Sequence, residues 1–309
     1  MTEGLLLDFS REKTLECPHF MALSFYISQT HNLPSYGWKN ELVRYHYTDA
    51  AGLLGIIESG TLWATDVRHL NDPSEGTFFV DRILQLMQQE AGGSLVKQQI
   101  VEAIRKAIAS PRQAQSTFSV SFCADGDLLS QWRGYGSFGK GYAIGFQLSM
   151  AAPHPQIAQF FDIIYGARDL TAVAQDLLDI FTTATAEWED DLVDDWASTI
   201  QFLANCFKDS SYREECESRI VATRGKGVPP LPYQEAIRYR ARGGDIIPYI
   251  PISFDLPTPD LKKSALPIRS IVVGPGVDFE RNRSALLDLL NSKGYPGVMI
   301  LPSTIPFRG

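Results

Sequence analysis

The 309-residue sequence lacks several features that would assign a function class directly. It has only four cysteines and no Cys-x-x-Cys pair, so nothing in it indicates a disulfide framework or a cysteine zinc site. It has no Gly-Lys-[Ser/Thr] ending of a phosphate loop, and its Gly-Tyr-Gly-Ser-Phe-Gly run does not open a helix after a strand. No internal repeat and no low-complexity tract is visible, which excludes solenoid and extended disordered classes.

An excess of positive charge and a long apolar run are also absent. The formal net charge is -8 and the pI about 5.2, so the chain as a whole does not attract a polyanion, and any such partner must be recognised locally. The N-terminus has no basic region followed by an apolar core, and no apolar run is long enough to span a bilayer. We therefore expect a cytoplasmic protein with no membrane partner.

What is present is a mixture of strand and helix patterns. Strands are predicted at 41–48, 61–66, 118–123, 141–148, 212–223, 245–254, 268–274 and 297–302. Helices are predicted from about residue 49 to Gly60, over 76–108 with a break at Gly92–Gly93, over 169–208, and over 282–294. The order predicts a single α+β domain over residues 1–309, with a helical insertion at about 165–210.

Polar side chains concentrate at the end of the first strand and in the loop that follows the second. His46, Tyr47 and Thr48 end the first strand, where a histidine is either a hydrogen-bonded structural residue or a ligand contact. Asn71 and Asp72 begin an Asn-Asp-Pro turn. These two residues either fix their own turn or order the rim of a cleft and contact a ribose hydroxyl.

Two short motifs place polar groups on one face of a strand. Alternate residues of a strand point to the same side, so Ser119 and Ser121 would line one surface, which is either solvated or part of a site. Likewise Glu215 and Glu217 would lie beside Arg219 in a predicted strand. Two neighbouring carboxylates repel unless a cation lies between them, so this segment is either a surface charge ladder or a catalytic pair.

Taken in chain order, a basic residue at a strand end, Ser-x-Ser and Glu-x-Glu resemble the motifs of toxin-type ADP-ribosyltransferases. The resemblance implies a split β-sandwich that binds NAD as a substrate in a cleft. His46 would occupy the dinucleotide-binding motif, as in the histidine-bearing branch, and the serine strand would shape the nicotinamide pocket. Glu217 would be the catalytic carboxylate and Glu215 would orient or deprotonate the acceptor. A fixed carboxylate suits the positive charge that develops on the ribose.

A more specific resemblance extends over most of the chain. The segments YHYT, LNDPSEG, FSVSFCADGDLLSQWRGYG, GKGYAIGF, YREECESRI, IVVGP and STIPFR occur in the order seen in the bacterial family called domain of unknown function 2971. Tyr212 stands where that family has tryptophan. This resemblance implies family membership and carries no activity of its own.

These patterns lead to an expected function with two alternatives. The residues assigned to NAD binding are His46, Tyr47, Thr48, Asn71, Asp72, Ser119, Ser121, Trp132, Arg133, Tyr142 and Arg219. Trp132 and Tyr142 either pack in the core or stack on nicotinamide or adenine, and Arg133 would hold a pyrophosphate. The expected role is a toxin or antiviral defence effector that modifies nucleic acid or protein. The alternatives are a metal-dependent nuclease or hydrolase using Asp72, Glu75, Glu215 and Glu217, and a non-catalytic nucleotide-binding sensor.

Overall fold

The protein was analysed as a computed structural model that describes residues 43–70, 74–110, 116–148, 159–165, 170–183, 190–224, 236–242, 244–254 and 266–306. Its strands are β1 (Val43–Thr48), β2 (Leu62–Asp66), β3 (Ser116–Phe122), β4 (Tyr142–Gln147), β5 (Gln159–Asp162), β6 (Ile164–Tyr165), β7 (Phe207–Lys208), β8 (Ser218–Arg224), β9 (Arg238–Arg242), β10 (Asp245–Ile252), β11 (Ile268–Val273) and β12 (Met299–Pro302).

Its α-helices are α1 (Ala50–Ser59), α2 (Ser74–Ala91), α3 (Leu95–Ala109), α4 (Leu129–Gly134), α5 (Leu170–Thr183), α6 (Asp190–Leu203) and α7 (Phe279–Ser292). Helix α1 shows how the sequence sets such bounds. The Asp49 side chain accepts a hydrogen bond from the Gly52 amide, and Gly60 ends the helix in the left-handed conformation at φ 65°. Within the described ranges, no helix has both the length and the apolar composition needed to cross a membrane.

Two open sheets form the centre of the fold. The larger has the order β5-β8-β3-β2-β10-β9, and each neighbouring pair is antiparallel. The smaller has the order β1-β4-β11-β12, in which only β11 and β12 are parallel. The two sheets meet where Tyr45 of β1 and Cys123, directly after β3, exchange two backbone hydrogen bonds of 2.8 Å.

An apolar core fills the space between the sheets. Alternate residues of β3, including Phe118, Val120 and Phe122, join Ile144 and Ile271 of the smaller sheet in this core. Because strand side chains alternate between faces, Ser119 and Ser121 point to the opposite face of β3. The polar motif of this strand therefore lies on the side of the larger sheet that faces away from the core.

The helices α2, α3, α5 and α6 pack together around a second apolar core. It includes Ile83, Ile104, Leu177 and Ile200, and it continues onto the larger sheet through Val221. The helices predicted as an insertion at about 165–210 thus share one core with the two helices of 74–109. Stripes of apolar residues at three- and four-residue spacing supply this packing.

The α+β class is confirmed, but two predicted elements were wrong. The strand predicted over 212–223 begins only at Ser218; its first residues belong to a 3-10 helix (Ser210–Glu215), and Cys216 after that helix adopts φ 41°. The predicted glycine-rich connection contains the helix α4. Strand β9 was not predicted, because its short, arginine-rich sequence has few apolar residues to show a period.

Candidate active site

A cleft of about 360 Å³, partly open to solvent, lies where the two sheets meet. The end of β1, the end of β3, helix α4 and the turn before β8 supply its walls. The cleft is lined by Tyr45, His46, Tyr47, Ser121, Phe122, Cys123, Gln131, Tyr135, Glu215 and Glu217.

His46 enters the cleft from β1 with a defined tautomer. Its Nδ1 lies 2.9 Å from the backbone carbonyl oxygen of Ser121. A carbonyl only accepts, so Nδ1 carries the proton and donates it. Burial lowers the pKa of His46, although the hydrogen bond to Ser121 partly offsets this effect. The imidazole is therefore neutral near pH 7, and its Nε2 offers a lone pair to a donor on a ligand.

Ser121 connects the histidine to the carboxylate. Its backbone carbonyl accepts the His46 proton, and its hydroxyl hydrogen-bonds to the Glu217 carboxylate. Ser121 pairs with Arg219 near the end of the β3–β8 ladder, which places it beside the turn that carries Glu217. Ser121 thus contacts both His46 of the first predicted motif and Glu217 of the last, on the same wall of the cleft.

Glu217 belongs to a buried cluster of two cations and two carboxylates. Arg219 donates from Nε to Oε1 at 2.6 Å and from Nη2 to Oε2 at 3.0 Å, and Lys208 donates to Oε2 at 3.0 Å. Burial opposes the charge of Glu217, but the charges of Arg219 and Lys208 and the hydrogen bonds from Arg219 and Ser121 lower its pKa to about 2. The carboxylate is ionised at neutral pH and rigidly oriented.

Lys208 brings Glu215 into the same cluster. Its ammonium donates to Glu215 Oε2 at 2.6 Å and lies 4.7 Å from the centre of the Tyr212 ring. The two glutamates do not alternate along one strand as predicted, because Glu215 ends the 3-10 helix. Their carboxylates come together because the buried lysine of β7 binds both. Glu215 is the more exposed of the two, at 13% against 5% of the side chain.

Tyrosine rings form the remaining walls, and two glycines leave room for one of them. A Cβ atom at Gly126 would lie 2.5 Å from the Tyr45 ring, and one at Gly145 would lie 2.8 Å from it. Such distances are too short for any side chain, so both positions require glycine for Tyr45 to keep this place. Tyr135 is partly exposed on the other side, at 41%. The cleft thus offers aromatic surface beside two carboxylates.

The tyrosine of the first motif is held by the loop before α4. The Tyr47 hydroxyl donates to the Asp125 carbonyl and accepts from the Leu128 amide, each at 2.9 Å. Its ring packs edge-on against Trp132, with the centroids 4.8 Å apart. Trp132 is fully buried and donates from Nε1 to Asp127 at 2.8 Å. Tyr47 lines the cleft, and Trp132 supports it from behind.

The other predicted ligand residues lie away from the cleft lining. Tyr142 is buried in the core between the sheets, where its hydroxyl donates to Asn282. Thr48 packs closely against Gly52 at the start of α1, and Arg133 is exposed on α4. Ser119 is buried two residues before Ser121 on β3. Arg219 contacts Glu217 but does not itself line the cleft. Asn71 and Asp72 lie outside the described residues.

Sequence reasoning missed several residues of the site. Tyr45, Cys123, Gln131 and Tyr135 line the cleft, and burial raises the pKa of the Cys123 thiol to about 11, which leaves it unreactive at neutral pH. Lys208 was also missed. Its signal was the charge balance: two glutamates beside one arginine leave a carboxylate that needs a further cation if the segment is buried.

The described residues contain no group of three or more His, Cys, Asp or Glu side chains placed to hold a metal ion. The two glutamates of the cleft direct their oxygens to Lys208 and Arg219. Asp72 lies outside the described part of the chain, and the side chain of Glu75 is likewise not described. The arrangement therefore gives the metal-dependent alternative no support.

Comparison with known proteins agrees with one of the two resemblances. Residues 131–220 match the model of a family described as "Protein of unknown function (DUF2971)". The predicted DUF2971 resemblance is confirmed. The DUF2971 match runs from Gln131 of the cleft wall to Ile220, so it contains Tyr135, Glu215 and Glu217. No curated protein and no solved structure matches the chain.

Proposed function

We propose that this protein is an NAD-dependent ADP-ribosyltransferase whose reaction takes place in the cleft between the two sheets. The observation that carries the proposal is the double contact of Ser121, which joins a neutral histidine and an ionised glutamate on one wall. The predicted split β-sandwich agrees with two open sheets that meet at Tyr45 and Cys123 over a shared core. The residues brought together come from all three predicted motifs.

The side chains of the cleft suit the nicotinamide half of NAD. The pyridinium ring carries a positive charge, which is attracted to tyrosine faces such as those of Tyr45 and Tyr135. His46 Nε2 accepts a hydrogen bond from a ribose hydroxyl. The carboxylates of Glu215 and Glu217 also line the cleft, with their charge balanced by Lys208 and Arg219.

The chemical step breaks the bond between ribose C1′ and the nicotinamide nitrogen, and the bonding electrons leave with neutral nicotinamide. Positive charge develops on the ribose, and the fixed Glu217 carboxylate stabilises it. An oxygen or nitrogen of the acceptor then bonds to C1′ and loses its proton to Glu215, the more exposed carboxylate.

The proposal is tested by transfer of label from NAD. The protein is incubated with NAD labelled in the adenylate phosphate, together with cell extract, purified DNA, RNA or protein fractions. We expect label to become covalently attached to one acceptor class with the wild-type protein and to be lost with His46→Ala. The exposed Arg105→Gln variant, on α3, serves as the control that retains transfer. Absence of label from every fraction contradicts the proposal.

A second candidate function is nucleotide binding without turnover. The observation that favours it is the occupation of Glu217 by two cations and Ser121, which offsets the charge that catalysis needs. In that case NAD raises the melting temperature of the protein without releasing nicotinamide. Transfer of label distinguishes the two candidates.

A further inference from the structure

An arginine on β9 is half-buried without an acidic partner. Arg240 donates from Nη2 to Thr65 Oγ1 at 2.8 Å and makes no ion pair with any described residue. Its guanidinium lies 5.3 Å from the Trp63 ring centre and 5.8 Å from that of Tyr249. A guanidinium taken partly out of water without a counter-charge is unfavourable unless an anion completes its surroundings.

Two buried polar atoms at this place, one of the arginine itself and one of a serine, have no hydrogen-bond partner in the described structure. They are Arg240 Nε and Ser119 Oγ, and Ser119 is only 3% exposed. Ser119 is the cross-strand partner of Thr65, whose hydroxyl already accepts from Arg240. Buried polar atoms are rarely left unpaired, so Arg240 Nε and Ser119 Oγ are available to hydrogen-bond a ligand.

The surroundings of Arg240 are mainly basic, with Asp49 and Asp245 as the opposing charges. Arg238 and Arg242 lie on the same face of β9, because residues two apart in a strand share a face. Arg242 donates to the His69 carbonyl and lies opposite Asp245, while Asp49 interacts electrostatically with Arg240 from the start of α1. A Cβ at Gly55 would lie 2.1 Å from the Trp63 ring, so that ring is closely packed beneath the arginine.

We propose that Arg240, Thr65 and Ser119 form a phosphoryl-binding site on the face of the larger sheet that carries Ser121. The planar guanidinium supplies paired N–H donors, and the serine hydroxyl supplies another, which is the donor set that phosphate oxygens require. No carboxylate hydrogen-bonds to any of these three residues among the described contacts. This site is separate from the cleft lining, to which none of the three belongs.

The distance to the cleft suggests which phosphoryl group binds. Ser119 and Ser121 lie two residues apart on one face of β3, which is about 7 Å along the strand. Arg240 also interacts electrostatically with His46 of the cleft. If the proposed function holds, the pyrophosphate of NAD reaches Arg240 while its nicotinamide ribose lies beside Ser121. A phosphate group of a separate ligand is the other source of the same chemistry.

The test is the binding of inorganic pyrophosphate to the full chain, measured by calorimetry. We expect the wild-type protein to bind it and Arg240→Gln to bind it about tenfold or more weakly, because hydrogen bonds from a charged group are lost. Arg240→Lys keeps the charge without the forked donors, so an intermediate loss is expected. Arg105→Gln on α3 removes an equal charge from an element that contributes none of the three site residues, and is expected to leave binding unchanged.

Circular dichroism confirms that each variant is folded. Ser119→Ala provides a milder variant, which is expected to weaken pyrophosphate binding several-fold.

Competition identifies the source of the phosphoryl group. If NAD displaces pyrophosphate, the site holds the dinucleotide, and if both bind together it holds a separate phosphorylated ligand. Nicotinamide riboside, which lacks phosphate, is expected to bind wild type and Arg240→Gln equally. Pyrophosphate binding that needs Arg240, with no cleavage of NAD, retains this site and rejects the proposed function. No binding of pyrophosphate, or equal binding by wild type, Arg240→Gln and Arg240→Lys, overturns the phosphoryl site.

Discussion

At the scale of residues, a buried ion cluster surrounds Glu217 of the candidate site. A carboxylate that is only 5% exposed would normally become protonated more easily, yet Lys208 and Arg219 keep it ionised. The same cations hold its orientation through hydrogen bonds, so in the proposed reaction the carboxylate is already placed for the positive charge on the ribose. The cluster therefore combines an electrostatic role in the cleft with a structural role in joining β7 to β8.

Glu217→Gln is expected to destabilise the protein by about 3 kcal/mol, because Lys208 and Arg219 lose a buried counter-charge. The folded-state pKa of Glu217 is about 2, below its usual 4.5. Its contribution to the free energy of unfolding is therefore complete above pH 4.5 and lost as the pH falls towards 2. Urea unfolding of wild type and variant from about neutral pH down to about pH 3 measures this difference.

The control for this prediction is Glu280→Gln, which removes an exposed carboxylate in the first turn of α7. We expect this variant to follow the wild-type pH dependence. A Glu217→Gln protein as stable as wild type, with the same loss of stability in acid, contradicts the cluster as described.

At the scale of elements, Asp127 ties helix α4 to the segment after β12. Its carboxylate accepts hydrogen bonds from Trp132 Nε1 at 2.8 Å, from the Thr304 amide at 2.7 Å, and from the hydroxyls of Ser303 and Thr304. Burial raises the pKa of Asp127, but these hydrogen bonds outweigh burial and lower it overall. Since α4 carries Gln131 of the cleft wall, Asp127 positions that wall.

Asp127→Ala is expected to lower the free energy of unfolding by about 2–3 kcal/mol, because several donors to one charged group lose their acceptor. Hydrogen exchange of the Thr304 amide is expected to become faster than in wild type, which reports release of the C-terminal segment directly. Asp81→Ala, at an exposed position of α2, is the matched control and should change neither quantity. Unchanged exchange at Thr304 in Asp127→Ala contradicts the positioning role.

Elements were predictable where apolar residues alone define them. The spacing along 76–108 and the break at Gly92–Gly93 anticipated α2 and α3, and the alternation of FSVSFC anticipated β3. The segment around Glu215 was wrongly predicted as strand because its conformation depends on a contact with Lys208, which lies outside the segment. Lys208 binds both glutamates, and the chain turns at Cys216 with positive φ, which no local pattern signals.

At the scale of the whole molecule, the candidate site lies where the two sheets are joined by the backbone contact of Tyr45 with Cys123. The Tyr45–Cys123 contact places the end of β1 beside the end of β3, which brings His46 to Ser121. The order of the motifs in the sequence suggested this grouping, and the structure brings His46, Ser121 and Glu217 to one cleft. Ligand roles for Trp132 and Tyr142 rested on residue type alone, and such reasoning does not reveal that both side chains are buried.

The proposed phosphoryl-binding site also could not be predicted from the sequence. Arg240, Thr65 and Ser119 come from three strands, and their juxtaposition follows from the antiparallel order β3-β2-β10-β9. The basic strand β9 lies in a stretch of the chain that carries no apolar period. Long-range strand order of this kind is determined by packing in the whole sheet, which local patterns do not specify.

The measurement that tests the central claim most directly is release of nicotinamide from NAD by the full chain, in the presence of cell extract as a source of acceptors. The account predicts release by the wild-type protein and a loss of about 100-fold in Glu217→Gln, as expected when a fixed charge at the reacting centre is removed. His46→Gln should also lower the rate, and Arg105→Gln should retain it. No release by the wild-type protein, or equal release by wild type and folded Glu217→Gln, would contradict the account.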